Sequence, residues 1–413
     1  MFRWSTQNPN GRLIGLVTLL FIGFGLGQGP VQAAEQPGIA AIQADCTAGW
    51  GEPTSDQGRY FPDLNAVYWS YRFDASAPNA QNTAFRISGQ FAYARNMSFH
   101  FYPMLNNGAF SYLSDINITP NAGNVNPFLP GVNRHDSNRL YTIWLVPADS
   151  VRASQPNTLT FPAGSSLSKL MLRVYRADSG YNNGGVPLPT IEAFDDDTGQ
   201  AVNCPLALRT IPSVPIDYST WPADAPEVSF YHLGTDGFFP NDDNQYLVAD
   251  LAPNKYAQIL VLRFYAPSFL DTFQHPEAVF TGQEQVRFMS LCMSSQVSTK
   301  SSECIADDQF IRSGSGYYNV VVGPPSRTDI RDAAIARGYN YVGWYSLSPI
   351  LFYRQMLPKA DFAGSVARVP VYNYTQPEAG QRAENFIGIY APVGKYCSIT
   401  TFMGGSTCGM PAP

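Results

Sequence analysis

The chain has 413 residues, with 26 Lys and Arg against 32 Asp and Glu, and only 14% of its residues are charged. No run of basic residues occurs, so the counterion release that drives nucleic-acid binding has no source, and an anionic membrane surface is disfavoured for the same reason. Aromatics make up 14%, and Gly and Pro number 34 and 33. This mix is too apolar for disorder and too rich in helix breakers for a helical fold.

The first 33 residues read as a signal peptide. Arg3 and Arg12 give a positive start, residues 13–29 form a short glycine-interrupted apolar run, and Val31-Gln32-Ala33 supplies small residues before a cut. The expected mature protein begins at Ala34, is periplasmic or secreted, and carries 24 basic against 32 acidic residues, a formal −8. No later stretch reaches the length of a transmembrane helix.

Residues 45–205 are expected to form a first β-sandwich domain. Strands are predicted at 66–73, 141–146 and 170–176, and at 85–101, where Phe85, Ile87, Phe91, Met97, Phe99 and Phe101 share one parity. Arg86, Ser88, Asn96, Ser98 and His100 take the other, the expected solvent side. Seventeen residues exceed a usual strand, so a break near Gly89 or Arg95-Asn96 is expected. Turn-rich loops follow at 119–131, 178–189 and 195–199. A Pro-rich linker spans 206–226. A second β-rich domain covers 227–400, with strands at 257–265, 285–293, 317–323 and 385–390. A helix is predicted after Ser326, with Asp329 closing a capping box and Gly338 ending it, and a shorter one over 348–358. Residues 401–413 form a tail. No internal repeat stands out. The expected fold is mainly β: two antiparallel β-sandwich-like domains stapled by disulfides, with one or two short helices in the second.

Six cysteines in an exported chain read as a disulfide framework. Order and spacing favour Cys46–Cys204, Cys292–Cys304 and Cys397–Cys408 among 15 pairings.

Several segments resemble a group of exported bacterial β-rich proteins without an assigned activity: RISGQFAYARNMSFHFY, DINITPNAGNVNPF, YRADSGYNNGGVPLP, QVRFMSLCM and YYNVVVGPPSR. More distantly, PNDDNQYLV is similar to paired β-rich domains of unknown function. The resemblance implies export and a β fold, and it transfers no catalytic residue.

Catalytic signatures are thin. The histidines (100, 135, 232, 275) form no metal motif, no cofactor motif is present, and a non-catalytic polar site suits His100 better than catalysis. Ser166-Leu167-Ser168-Lys169 matches a nucleophile motif without its partners and reads as a turn. Asp195-Asp196-Asp197 reads as a turn first, a calcium loop second and a carboxylate pair third. Arg173, Arg263 and Arg287 lie inside apolar strands; a partner carboxylate or carbonyl at a sheet edge or domain interface is the favoured reading, and recognition of a carboxylate, sulfate or phosphate the alternative. A ligand site is expected on the loops around 178–185 and 236–246, from Asp178, Tyr181, Asn182, Asp242, Asp243 and Tyr246, with Phe238 and Phe239 as further aromatics. The leading function is non-catalytic binding or assembly in the envelope, with a glycan or another small polar molecule as partner. The alternative is a secreted hydrolase of glycans or esters with loop-borne acid/base residues.

Overall fold

The computed structural model describes residues 44–51, 53, 60–78, 80–103, 108–165, 168–178, 180, 182–205, 227–233, 239–251, 259–346, 348–372 and 381–413. The signal peptide, the linker, Tyr181 and Phe238 lie outside them. Residues from Ile42 onward belong to one compact unit.

Alternating aromatic and β-branched residues give the described part of the first half eight strands: β1 (Ala66–Phe73), β2 (Thr83–Gln90), β3 (Ala94–Tyr102), β4 (Ser111–Ser114), β5 (Leu140–Pro147), β6 (Thr158–Phe161), β7 (Ser168–Ala177) and β8 (Thr190–Asp195). They pair as two sheets, β1-β7-β3-β4 and β6-β5-β2-β8. Phe73, Phe85, Phe99, Phe101 and Phe161 fill the space between the sheets. The second half contains β9 (Glu227–Val228), β10 (Tyr231–His232), β11 (Asn244–Asp250), β12 (Ile259–Tyr265), β13 (Phe288–Ser295), β14 (Ser301–Ala306), β15 (Tyr317–Gly323), β16 (Asn340–Gly343), β17 (Pro349–Met356) and β18 (Val393–Cys397). Its sheets are β10-β11-β17-β13-β14 and β16-β15-β12-β18-β9. Among the described residues, three short α-helices complete it: α1 (Thr328–Ala336), α2 (Glu384–Ile387) and α3 (Ile399–Met403). The fold is mainly β, as the composition implies.

The two halves repeat one another, contrary to the reading of the sequence. β1-β7-β3-β4 matches β11-β17-β13-β14 in order, and β6-β5-β2-β8 matches β16-β15-β12-β18. Even the parallel pairs, β5 with β6 and β15 with β16, occupy equivalent places. The correspondence reaches single hydrogen bonds. Met97 N–H donates to Asp115 at 2.9 Å and Met289 N–H to Asp307 at 2.9 Å, with both residues of each pair 192 positions apart. Tyr68 accepts from Asp63 N–H and Tyr246 from Asn241 N–H. Asn157 bridges Thr119 and Thr142 through both ends of its amide, and Asn340 bridges Ile311 and Asn319 in the same way. Few residue identities survive, so strand-level comparison missed the repeat. The pairs R-N-M-S with R-F-M-S and F-P-D with F-P-N carry its trace.

Other expectations change as well. The long strand breaks at Phe91-Ala92-Tyr93, between the two positions foreseen. The polar parity of β3 is buried, because the outer face of its sheet lies against the second half. Residues 348–358 form β17, central in its sheet and buried on both faces. A short apolar run fits a buried strand or a buried helix equally well by periodicity. Residues 385–390 form α2 and a 3-10 turn in place of a strand, with Phe386 and Ile389 exposed and Gly388 at φ +56°. The helix after Ser326 is present as α1, but no side-chain cap is made and Asp329 pairs with Arg327. The three disulfides join the expected partners.

Candidate functional site

Reciprocal contacts tie the halves together along a polar seam. Arg95, fully buried on β3, holds both oxygens of Asp307 at 3.0 and 3.1 Å. Its counterpart Arg287 approaches Asp115 at 3.5 Å. Arg173 on β7 donates to the Phe239 carbonyl at 2.7 Å, and Arg354 on β17 donates to the Phe61 carbonyl. Arg173 and Arg287 thus find the interface partners that their apolar strands demanded, while Arg263 donates to Ala412 at the tail.

Positions where the repeat fails single out one end of the seam. On the outer face of β1-β7-β3-β4, Tyr68 lies beside Arg173 and Arg72 beside Lys169, while Tyr102 flanks Lys169 on the far side. The second-half equivalents of Arg72 and Lys169 are Asp250 and Ile350. Arg354 has the carboxylate of Asp63 at 3.8 Å, whereas the residue equivalent to Asp63 beside Arg173 is the neutral Asn241. Nε and Nη1 of Arg173 are buried and make no hydrogen bond among the described residues, although the Tyr102 hydroxyl lies near enough to interact with the guanidinium. Lys169 is 6% exposed, and its Nζ sits 3.9 Å from the centre of the Phe239 ring. Burial, with Arg72 and Arg173 adding repulsion, holds its ammonium well below the usual lysine range.

An aromatic array flanks these cations. Tyr112 and His100 stack at 5.5 Å, His100 and Tyr102 at 6.0 Å, and Phe239 meets Tyr102 edge-on at 5.2 Å. His100 and Tyr112 are a direct cross-strand pair, and they occupy the places that Cys292 and Cys304 hold in the second half. Burial, then Arg173, pushes His100 well below the ordinary imidazole value, so the ring is neutral. Its Nε2 accepts the Asp242 backbone N–H at 3.1 Å, which places the proton on Nδ1. The 3.5 Å approach of the Asp242 carboxylate to Nε2 is therefore not an ion pair. Burial raises the Asp242 carboxyl, Arg173 lowers it, and Asp243 raises it further.

Of the residues expected to bind a ligand, Asp242, Asp243 and Tyr246 reach the seam. Asp243 is buried, bonded to Ser114 and Asn96, with its carboxyl raised chiefly by burial. The hydroxyl of Tyr246 is pushed up to about 12 by burial. Asp178 is buried in a different group, 2.7 Å from Arg134. Asn182 is exposed, and Tyr181 lies outside the described residues. Asp195 is taken up by its own turn, accepting from Thr198 and Asn82. Ser168 and Lys169 belong to β7 and are buried, not part of a turn. Sequence reasoning missed Lys169, Arg72 and Tyr112. Alternation along β7 (Lys169, Met171, Arg173, Tyr175) carried the signal, since a strand with two cations on one face needs an explanation for that face.

No family model matches the chain, and no curated protein does. Among solved structures, an uncharacterised protein from Burkholderia cenocepacia is similar at a TM-score of 0.46 and 11% identity, over 75% of this chain and 78% of its own. The VPA0106 protein from Vibrio parahaemolyticus is similar at 0.41 and 11%, over 82% of this chain and 91% of its own. At these values neither likeness bears on function.

Proposed function

We propose that this is an exported protein of the bacterial envelope with a non-catalytic binding or assembly role, and that its ligand site is the end of the seam around His100, Lys169, Arg173 and Asp242. Export is favoured by three disulfides. Among the described residues no helix is long and apolar enough to cross a membrane. The observation that carries the binding role is the departure from the repeat at this end. Groups found in both halves serve the architecture, whereas cations and rings found only in the first half have no counterpart to explain them structurally.

The chemistry of the seam speaks for binding over hydrolysis. His100 uses Nε2 to accept a backbone N–H, and His232 sits 2.6 Å from the Val369 carbonyl through Nδ1. Asp115, raised to about 7 chiefly by burial, is the strongest acid candidate, yet Asp307 repeats its place and its bond. Fractionation of cells producing the full chain should place it outside the cytoplasm, starting at Ala34. A thermal-shift screen against neutral and acidic sugars should show stabilisation, while chromogenic esters and glycosides stay intact. Cytoplasmic retention, or turnover lost in Asp115→Asn, would overturn the reading.

A further inference from the structure

We propose that this site takes an acidic saccharide, with its carboxylate received by Arg173, Lys169 and Arg72 and its ring laid on the aromatic edge formed by Tyr112 and Phe110. This deepens the binding role above and rests on it.

Charge is the first argument. Buried cations normally stand paired with carboxylates, because desolvation of an unpaired charge is expensive. Elsewhere in the seam this rule holds: Arg95 has Asp307, Arg287 has Asp115 and Arg354 has Asp63. At Arg173 the equivalent carboxylate is replaced by Asn241, and two further cations, Lys169 and its cross-strand partner Arg72, stand four residues along the same face, where Lys169 feels the charge of both guanidinium groups. Arg173 is 2% exposed and keeps two nitrogens without an acceptor among the described residues. A planar carboxylate supplies the missing acceptor and matches guanidinium donors in geometry.

Shape is the second argument. Tyr112, on the edge strand β4 opposite His100, and Phe110, one residue before that strand, are 47% and 45% exposed. A strand edge that shows two large rings to solvent offers flat apolar surface, and the C–H face of a pyranose packs against such rings while its hydroxyls stay wet. Among the described residues, Asp242 is a partly exposed acidic group at the cationic end. Its side chain is 24% exposed and fits as an acceptor for sugar hydroxyls.

The test uses the oxidised mature chain and calorimetric titration with D-glucuronate, D-glucose and inorganic phosphate. Glucuronate should bind at least about tenfold more tightly than glucose, and both Lys169→Met and Arg72→Gln should weaken it about tenfold or more. Arg72 is less buried than Lys169, so its variant keeps the test valid if Lys169→Met fails to fold. Arg263→Gln, on the far sheet, should bind as the wild type does. Equal binding of glucose and glucuronate would sink the anion assignment and leave the binding role standing. Phosphate binding without a response to glucuronate would overturn the saccharide. Unchanged glucuronate affinity in folded Lys169→Met or Arg72→Gln would move the site elsewhere.

Discussion

Replacing Arg95 with methionine should be among the most damaging single changes in the protein. Arg95 and Asp307 are both fully buried, and the guanidinium reaches both carboxylate oxygens at 3.0 and 3.1 Å. Methionine fills much of the same space, so the loss is electrostatic. It leaves Asp307 uncompensated inside the seam, a situation that costs about 3–5 kcal/mol. Against a total stability of about 5–15 kcal/mol, that is a large share. Asp307→Asn should cost less, because Arg95 keeps Asp271 at 3.7 Å and a Thr272 acceptor at 3.3 Å. Arg287→Met should also cost less than Arg95→Met. Its partner Asp115 is 3.5 Å away and, at about 7, already carries its proton for part of the time at neutral pH. Urea unfolding followed by tryptophan fluorescence gives the three values, with a midpoint shift of about 1 M or more expected for Arg95→Met. A loss below about 1 kcal/mol for that variant, or Arg287→Met as the more damaging change, would refute the view that desolvated reciprocal ties hold the halves together.

Stability should fall as pH rises from about 4 to 8. Asp115 and Asp307 are raised from an ordinary 3.8 to about 7 and about 6, so the native state keeps protons the unfolded chain has lost. Each contributes up to about 1.4 kcal/mol per pH unit in that window, and a urea midpoint that climbs between pH 4.5 and 8 would contradict this. Removing the Cys46–Cys204 bridge, which spans 158 residues, should cost about 5 kcal/mol on the chain-entropy view, against about 3 for either short bridge; equal losses in thermal unfolding would argue against that view. His100→Cys combined with Tyr112→Cys should form a further disulfide, since this cross-strand pair occupies the register of Cys292 and Cys304; free thiols at both positions in an oxidised, folded sample would break the equivalence of the halves.

Much of the strand framework was legible because burial leaves a period of two. The stretches 66–73 and 317–323 match β1 and β15 residue for residue, since each has β-branched or aromatic residues against turn-forming neighbours. The disulfide pairs were legible from order alone. β17 was not, because a segment buried on both faces loses the alternation that would mark it. The polar parity of β3 misled for a different reason: polar side chains facing water and polar side chains facing other polar side chains look the same in a sequence. Half of the candidate ligand residues reached the seam for the simple reason that Asp242, Asp243 and Tyr246 lie in the segment that crosses it. Asp178 was attractive as a loop acid, yet its loop folds back on Arg134.

The duplication also supplies a way to separate architecture from function within one chain. Two halves that face each other through equivalent surfaces must each satisfy the same donors and acceptors, and the paired Arg–Asp, Tyr–backbone and Asn bridges do so twice. A residue that departs from its counterpart is released from that shared requirement. In the second half the departures close the structure: Cys292 and Cys304 cross-link the strands, and Asp63 serves Arg354. In the first half they run the other way. The cross-link position carries His100 and Tyr112, the carboxylate next to Arg173 becomes an amide, and Lys169 and Arg72 add positive charge where Ile350 and Asp250 stand opposite. These changes all raise the local demand for an acceptor, and an added desolvated charge destabilises a fold unless something else makes use of it. Three cations gathered at one end of the seam, where the other half has only Arg354 in the equivalent places, are the part of this protein that its repeat does not explain.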